Sequence, residues 1–156
     1  MEFANWKRHS APLSILLMDV DNFKQRNDTY GHAVGDTALE LIGRVVRRCV
    51  RAGDTAARMG GEEFAILLPN TDLKGAMDLA MRFQHMLALE EHGPLPLTVS
   101  IGVTSAMDSS SKWELLLSQA DEAMYVAKRS GKNKAVAYGV GGGKVISMGK
   151  MAGLTA

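Results

Sequence analysis

Cysteine is almost missing from this sequence. Cys49 is the single one in 156 residues, which excludes an internal disulfide framework and fits a reducing compartment. It falls on an apolar helical stripe, where core packing is far commoner than nucleophilic chemistry. No apolar run approaches the ~20 residues that a bilayer-spanning helix needs, and residues 1–10 lack the apolar centre of a signal peptide. The expected location is therefore the cytoplasm, either for the chain itself or as the cytoplasmic part of a larger protein. Charge of neither sign is in excess: the formal net charge is +1, so bulk electrostatics give no case for nucleic acid or a membrane surface as partner. A phosphate-loop motif is also lacking. Gly141-Gly142-Gly143-Lys144 resembles one, but Tyr138 stands where its first glycine belongs and Val145 where its Ser or Thr belongs.

What is present is an ordinary soluble composition, 46% hydrophobic and 22% charged, in a chain long enough to bury a proper core as one domain. Its ten methionines include Met77, Met81 and Met86 on or near helical apolar positions, where they read as pliable filler. The most informative stretch is Arg58-Met59-Gly60-Gly61-Glu62-Glu63-Phe64. A glycine pair between two strand-like runs, 55–59 and 64–68, predicts a tight β-hairpin, because glycines accept the positive φ that such turns demand. Two carboxylates, Glu62 and Glu63, follow the glycines; taken alone they read as ordinary surface charge.

A second acidic pair upstream changes that weighting. Residues 13–18, Leu-Ser-Ile-Leu-Leu-Met, read as a buried strand running into Asp19-Val20-Asp21. Strand alternation places Asp19 and Asp21 on one face. If the hairpin packs beside this strand, Asp19 meets Glu62 or Glu63. Two like charges at about 4 Å repel by roughly 4 kcal/mol at an effective dielectric near 20. A divalent cation relieves this, and an all-oxygen set with open positions suits Mg²⁺ carrying substrate phosphates.

Along the chain, residues 1–12 form a polar leading segment and 23–30 a short turn or helix. Gly35-Asp36 opens a helix with Ala38, Leu41, Ile42, Val45, Val46 and Cys49 at helical spacing. After the hairpin, Pro69 to Asp72 read as a stop followed by a cap. A helix over about 73–89, a strand over 97–103, a helix over 113–129 and a strand over 134–138 follow. Gly102 in the first of these two strands marks a close backbone approach. Residues 139–156 are glycine-rich and read as a flexible tail. The order predicts an α+β fold, helices over a central, mostly antiparallel sheet.

Gly60-Gly61-Glu62-Glu63-Phe64 resembles the signature of the GGDEF family, the diguanylate cyclases. Asp19-Val20-Asp21-Asn22-Phe23-Lys24, Asn27-Asp28, Tyr30-Gly31-His32 and Gly35-Asp36 resemble it too. So do Ser100-Ile101-Gly102-Val103, and Ala120-Asp121 through Tyr125, Lys128, Gly131 and Asn133. Each piece is weak by itself; in the family's order, over residues 13–138, they are specific. The resemblance implies a palm-like sheet of the nucleotidyl cyclase and polymerase kind. It implies condensation of two GTP molecules into cyclic di-GMP and two pyrophosphates, with Mg²⁺ or Mn²⁺ as cofactor. Asp19, the Val20 carbonyl and Glu62 are then the metal ligands, with Gly60, Gly61 and Glu63 in support. Glu62 is also the family's candidate for the base that activates the ribose 3′-hydroxyl, although one carboxylate serving as both ligand and base is chemically awkward.

By the same resemblance Lys24, Lys128 and Lys132 meet phosphates, against the plain alternative that the latter two decorate a helix C-terminus. Asn27 and Asp36 read guanine, since a carboxylate accepts from N1–H and the exocyclic amine, and His32 contacts the nucleotide or is simply a turn histidine. Arg51 and Asp54 form the Arg-x-x-Asp pattern of an inhibitory cyclic di-GMP site; the alternative is an i, i+3 surface ion pair contributing about 0–1 kcal/mol. Activity requires two nucleotides facing each other, hence a homodimer. The family's usual Asp-x-Leu-Thr-x-Leu-x-Asn-Arg segment is not seen in residues 1–12, and no sensor or receiver domain precedes the first strand, which implies a fragment or shortened member. A non-catalytic receptor for cyclic di-GMP or GTP, and a cyclase with a mononucleotide product, are the rival readings.

Overall fold

The computed structural model describes residues 11–90, 93, 96–106 and 112–139, together with the backbone of 145–147. Residues 1–10 of the leading segment, the serine-rich stretch 107–111 and most of the glycine-rich tail lie outside the described residues. Among the described residues no helix is long and apolar enough to cross a membrane.

Strand β1, Leu13–Val20, is buried along its whole length. It lies inside a sheet of order β2-β3-β1-β4-β5-β6, where β2 is Thr55–Gly60, β3 Glu63–Pro69, β4 Val99–Ala106, β5 Lys134–Tyr138 and β6 Val145–Ser147. Every neighbouring pair is antiparallel except β4–β5, which is parallel. Helices α1 (Phe23–Tyr30), α2 (His32–Cys49), α3 (Leu73–Ala88) and α4 (Trp113–Arg129) cover the sheet. This is the expected mostly antiparallel α+β architecture. The parallel step follows from α4 acting as the crossover between β4 and β5, since parallel neighbours cannot be joined by a hairpin.

The unbroken apolar run of β1 is explained by burial on both faces. Leu16, Met18 and Val20 join the core beneath α2 and α3, with Ile66, Leu68, Ile101, Val103, Ile42, Val45 and Phe83. Leu13, Ile15 and Leu17 join Leu116, Ala120 and Met124 of α4 on the other face. β2, by contrast, is exposed at all six residues, as befits an edge. Asp72 caps α3 by accepting the Gly75 N–H at 2.8 Å, the cap expected from the sequence.

Several boundaries differ from the sequence reading. Residues 23–30 are a true α-helix, and α2 starts at His32, ahead of Gly35-Asp36, because Gly31 at φ 93° makes the break. β4 begins at Val99 and continues to Ala106, since its pairing with β1 extends to Leu13 opposite Ala106. In the hairpin the two turn residues are Gly61 and Glu62. A register shift between Arg58 and Gly60 absorbs one extra residue on β2 and moves the bend one position along. Within the expected tail, Val145–Ser147 pairs antiparallel with β5.

Candidate active site

The end of β1 and the β2–β3 turn meet as the acidic pairs predict. Asp19 stands opposite Glu63 in the β1–β3 register, so both project from the same face of the sheet. The Val20 N–H donates to the Glu62 carbonyl at 3.2 Å, which ties the turn to the strand end. Gly60 at φ 145° and Gly61 at φ 53° supply the backbone that an L-residue would resist. Arg58 Nε donates to the Gly61 carbonyl at 2.9 Å and braces the bend.

A cleft of about 350 Å³ opens at this point, lined by Asp19, Val20, Lys24, Glu62, Lys128 and Lys132 among others. Three acids, Asp19, Asp21 and Glu62, and three lysines thus converge from β1 and the residues after it, the hairpin turn, α1, the end of α4 and the α4–β5 loop. Asp19 is 5% exposed. Its Oδ2 is ion-paired with Lys128 Nζ, whereas its Oδ1 is buried without a hydrogen-bond partner. A buried carboxylate oxygen left unpaired is costly and marks a place for a cation. No three acidic, imidazole or thiol side chains cluster closely enough among the described residues to hold an ion unaided. The residues present nevertheless fit a hard divalent ion: Asp19 Oδ1, the Val20 carbonyl and Glu62 are all oxygen donors, and a bound ligand's oxygens complete the set.

Burial, with a smaller contribution from the charge of Lys132, lowers the Lys128 pKa from its ordinary value even though Asp19 lies against it. Lys132 donates to Asn22 Oδ1 at 2.6 Å, and Lys24 is exposed on α1. Alternation groups Asp21 with Asp19, but the structure divides their work. Asp21 accepts from Thr98 Oγ1 at 2.7 Å, Ser100 Oγ at 2.6 Å and the Asn133 N–H at 2.9 Å. Thr98 and Ser100, two hydroxyls two positions apart at the entry to β4, were the available sequence signal.

The remaining predicted residues lie elsewhere. Asn27 packs against α2, and its Oδ1 is buried without a partner. It fills the space over Gly35, where a Cβ would stand 1.8 Å from that oxygen. Asp36 borders a separate groove of about 570 Å³ beside Arg44, Arg47, Arg58 and Phe64. His32 is exposed in the first turn of α2. The structure thus sets the two expected guanine readers, Asn27 and Asp36, and the expected nucleotide contact, His32, on α1 and the start of α2, outside the lining of the acidic cleft. Arg51 and Asp54 are further apart from it still. Arg51 lines a pocket of about 390 Å³ with Thr71 and Arg82, and its Nη2 donates to Thr71 Oγ1 at 2.8 Å. The Asp54 carboxylate accepts the Arg51 N–H at 2.8 Å but lies 3.6 Å from the guanidinium. The ion pair is therefore long, and the guanidinium keeps donors available.

With this geometry in view, comparison with known proteins is direct. The family profile "Diguanylate cyclase, GGDEF domain" matches residues 1–134, and the chain belongs to the GGDEF family of diguanylate cyclase domains. It is 40% identical over 126 residues to "Diguanylate cyclase A" of Treponema denticola, covering 78% of this chain and 34% of that protein. It is 40% identical over 131 residues to "Response regulator PleD" of Caulobacter vibrioides, covering 80% and 29% respectively. The chain thus spans about a third of the length of the curated relatives it matches. Among solved structures, the active GGEEF domain of a diguanylate cyclase from Vibrio cholerae superposes with a TM-score of 0.84 at 32% identity, covering 90% of this chain and 91% of that one. The GGDEF domain of DgcB from Caulobacter crescentus, in complex with c-di-GMP, gives 0.82 at 26% identity, covering 86% and 82%.

Proposed function

We propose that this domain condenses two GTP molecules into cyclic di-GMP with release of two pyrophosphates. The observation that carries the reading is the cleft at the end of β1. There the buried, half-unpaired carboxylate of Asp19 and Glu62 of the hairpin turn line one cleft with Lys24, Lys128 and Lys132. Acids beside lysines suit a metal-bound triphosphate and poorly suit an apolar ligand.

Asp19, the Val20 carbonyl and Glu62 hold Mg²⁺ or Mn²⁺, with Gly60 and Gly61 shaping the turn and Glu63 lending charge beside it. The ion, when bound, supplies positive charge against the triphosphate and the departing pyrophosphate. Lys24, Lys128 and Lys132 add point charges on the phosphate oxygens. Asn27 and Asp36 read the guanine edge, with His32 beside them. In the reaction the ribose 3′-oxygen of one GTP forms a bond to the α-phosphorus of the other. The bond from that phosphorus to the bridging oxygen breaks, pyrophosphate leaves, and the 3′-hydroxyl proton passes to Glu62 or to water. A second such step closes the ring.

Each domain presents one nucleotide, so the reacting unit is a homodimer, in which alignment of the two reactants lowers the barrier by several kcal/mol. Arg51 and Asp54 take the cyclic di-GMP product as inhibitor. The free donors of Arg51 and its pocket support this, as does the c-di-GMP complex of the Caulobacter crescentus neighbour.

The test is incubation with GTP and Mg²⁺ at high protein concentration, followed by product chromatography. The expected product is cyclic di-GMP, and Glu62→Gln should abolish it while leaving the circular dichroism spectrum intact. Near-full activity in that variant refutes the role of Glu62. A wild-type chain that makes no product yet retains cyclic di-GMP is a receptor instead, and a mononucleotide product assigns it to the other cyclase class.

A further inference from the structure

Asp21 has no part in the reaction as written, yet it is 8% exposed and carries three hydrogen bonds. Two donors, Thr98 and Ser100, belong to the start of β4 and the residue leading into it. The third, the Asn133 N–H, belongs to the loop between α4 and β5. The Asp21 N–H also donates to the Thr98 carbonyl at 2.9 Å. A buried carboxylate with every contact made by a donor is a strong local tie.

What it ties is an unusual loop. Gly131, Lys132 and Asn133 have φ of 118°, 62° and 48° in succession. Two consecutive side-chain-bearing residues in the left-handed region persist only where the surroundings hold them. Much of the hold comes from the two residues that follow β1. Asp21 takes the Asn133 N–H, while its neighbour Asn22, itself at φ 55°, takes the Lys132 ammonium at 2.6 Å. Two consecutive residues after β1 thus grip two consecutive residues after α4. The Lys132 N–H is fixed to the Ala127 carbonyl at 3.0 Å, so the loop's setting also fixes the last turn of α4, which carries Lys128.

We infer that Asp21 is a positioning residue for phosphate binding: it locks the Lys132-Asn133 loop in its left-handed form so that Lys132 and Lys128 face the cleft. This rests on the reading of that cleft as a triphosphate site. A residue acting only on stability would lower the melting temperature and leave ligand discrimination alone. A residue acting on the lysines changes affinity for the phosphates and not for the base.

The experiment uses the full chain with Mg²⁺ and two probes that cannot react, 3′-deoxy-GTP and 3′-deoxyguanosine, with Kd read by calorimetry. In Asp21→Asn, 3′-deoxy-GTP binding should weaken at least tenfold while 3′-deoxyguanosine binding stays within twofold. Combining Asp21→Asn with Lys132→Met should weaken 3′-deoxy-GTP little beyond Asp21→Asn alone, because the contribution of Lys132 is already lost in that variant. Asp21→Ser, which keeps a small acceptor, takes the place of Asp21→Asn if the amide fails to fold. Equal weakening for both probes, unchanged 3′-deoxy-GTP affinity or fully additive losses would each overturn the inference. Absence of 3′-deoxy-GTP binding by the wild-type chain would instead overturn the reading of the cleft, and the inference with it.

Discussion

Replacing Gly102 by alanine should damage both the fold and the site, and the geometry gives the size of the effect. A Cβ at Gly102 would lie 1.9 Å from the Ala120 carbonyl oxygen and 2.4 Å from the Met124 nitrogen, where ordinary contact begins at 3.4 Å. Both neighbours are α4 backbone, so no side chain can turn aside, and the helix must retreat by about 1.5 Å, the shortfall at the closer contact. Overpacking of a core costs about 1–3 kcal/mol and occasionally more. A clash with helix backbone belongs at the upper end, about 3 kcal/mol. For a domain of this size each kcal/mol moves Tm by about 2–4 °C, so the midpoint should fall by about 6–12 °C on the same scale. Because α4 carries Lys128 against Asp19, turnover of the folded protein should fall as well. Thermal melts followed by circular dichroism, with GTP kinetics well below the midpoint, measure both. Gly53→Ala is the control: a Cβ there meets nothing within 4 Å, and its stability should change by no more than about 0.5 kcal/mol. A Gly102→Ala midpoint within about 2 °C of wild type, less than one kcal/mol on this scale, would refute the reasoning.

Gly35→Ala should give the opposite pattern, because its 1.8 Å clash is with the end of the Asn27 side chain. Asn27 can swing away, so stability should hold or rise by up to about 1 kcal/mol from the better helix former, while KM for GTP rises about tenfold, as loss of roughly one hydrogen bond requires; an unchanged KM would remove Asn27 from the base site. Arg51→Ala should relieve inhibition by cyclic di-GMP, shifting its midpoint by tenfold or more; superimposable inhibition curves would leave only the long ion pair to Asp54. Burial raises the Cys49 thiol pKa, against smaller opposing effects of Arg82 and Arg48. The native state therefore keeps the thiol proton while the unfolded chain loses it as pH rises past 9.0, so this group costs stability in alkali. Urea midpoints should fall less steeply above that pH in Cys49→Ala than in wild type, and parallel curves would contradict the assignment.

Sequence reading recovered the fold well where periodicity is strong. The α2 stripe of Ala38, Leu41, Ile42, Val45, Val46 and Cys49, all buried, and the apolar run of β1 needed only spacing. The start of α2 was missed because the usual punctuation, Gly35 and Asp36, lies inside the helix. Gly35 is there to make room for Asn27, a tertiary reason that no local rule contains. In the hairpin the glycines were found but the bulge was not, since a register shift depends on the partner strand. In the candidate site, the nearness of Asp19 to the Glu62-Glu63 turn was legible once the hairpin was set beside the strand, as the resemblance to the GGDEF signature implied. The contact between Asp19 and Lys128 was not, because it depends on where a distant helix ends. Asp21 shows the same limit: its chemistry was visible, but its partners Thr98, Ser100 and Asn133 are fixed only by β4 and the α4–β5 loop.

The cleft joins the first strand to the far end of the last long helix; Asn22 and Lys132, bonded across it, are 110 residues apart in sequence. Closing a contact of that separation costs loop entropy before it is rewarded, which slows folding. Within this domain β1 is made before α4, and Asp19 must wait for that helix before it meets Lys128. A nascent chain therefore cannot assemble the cleft until α4 and the loop that follows it have been made.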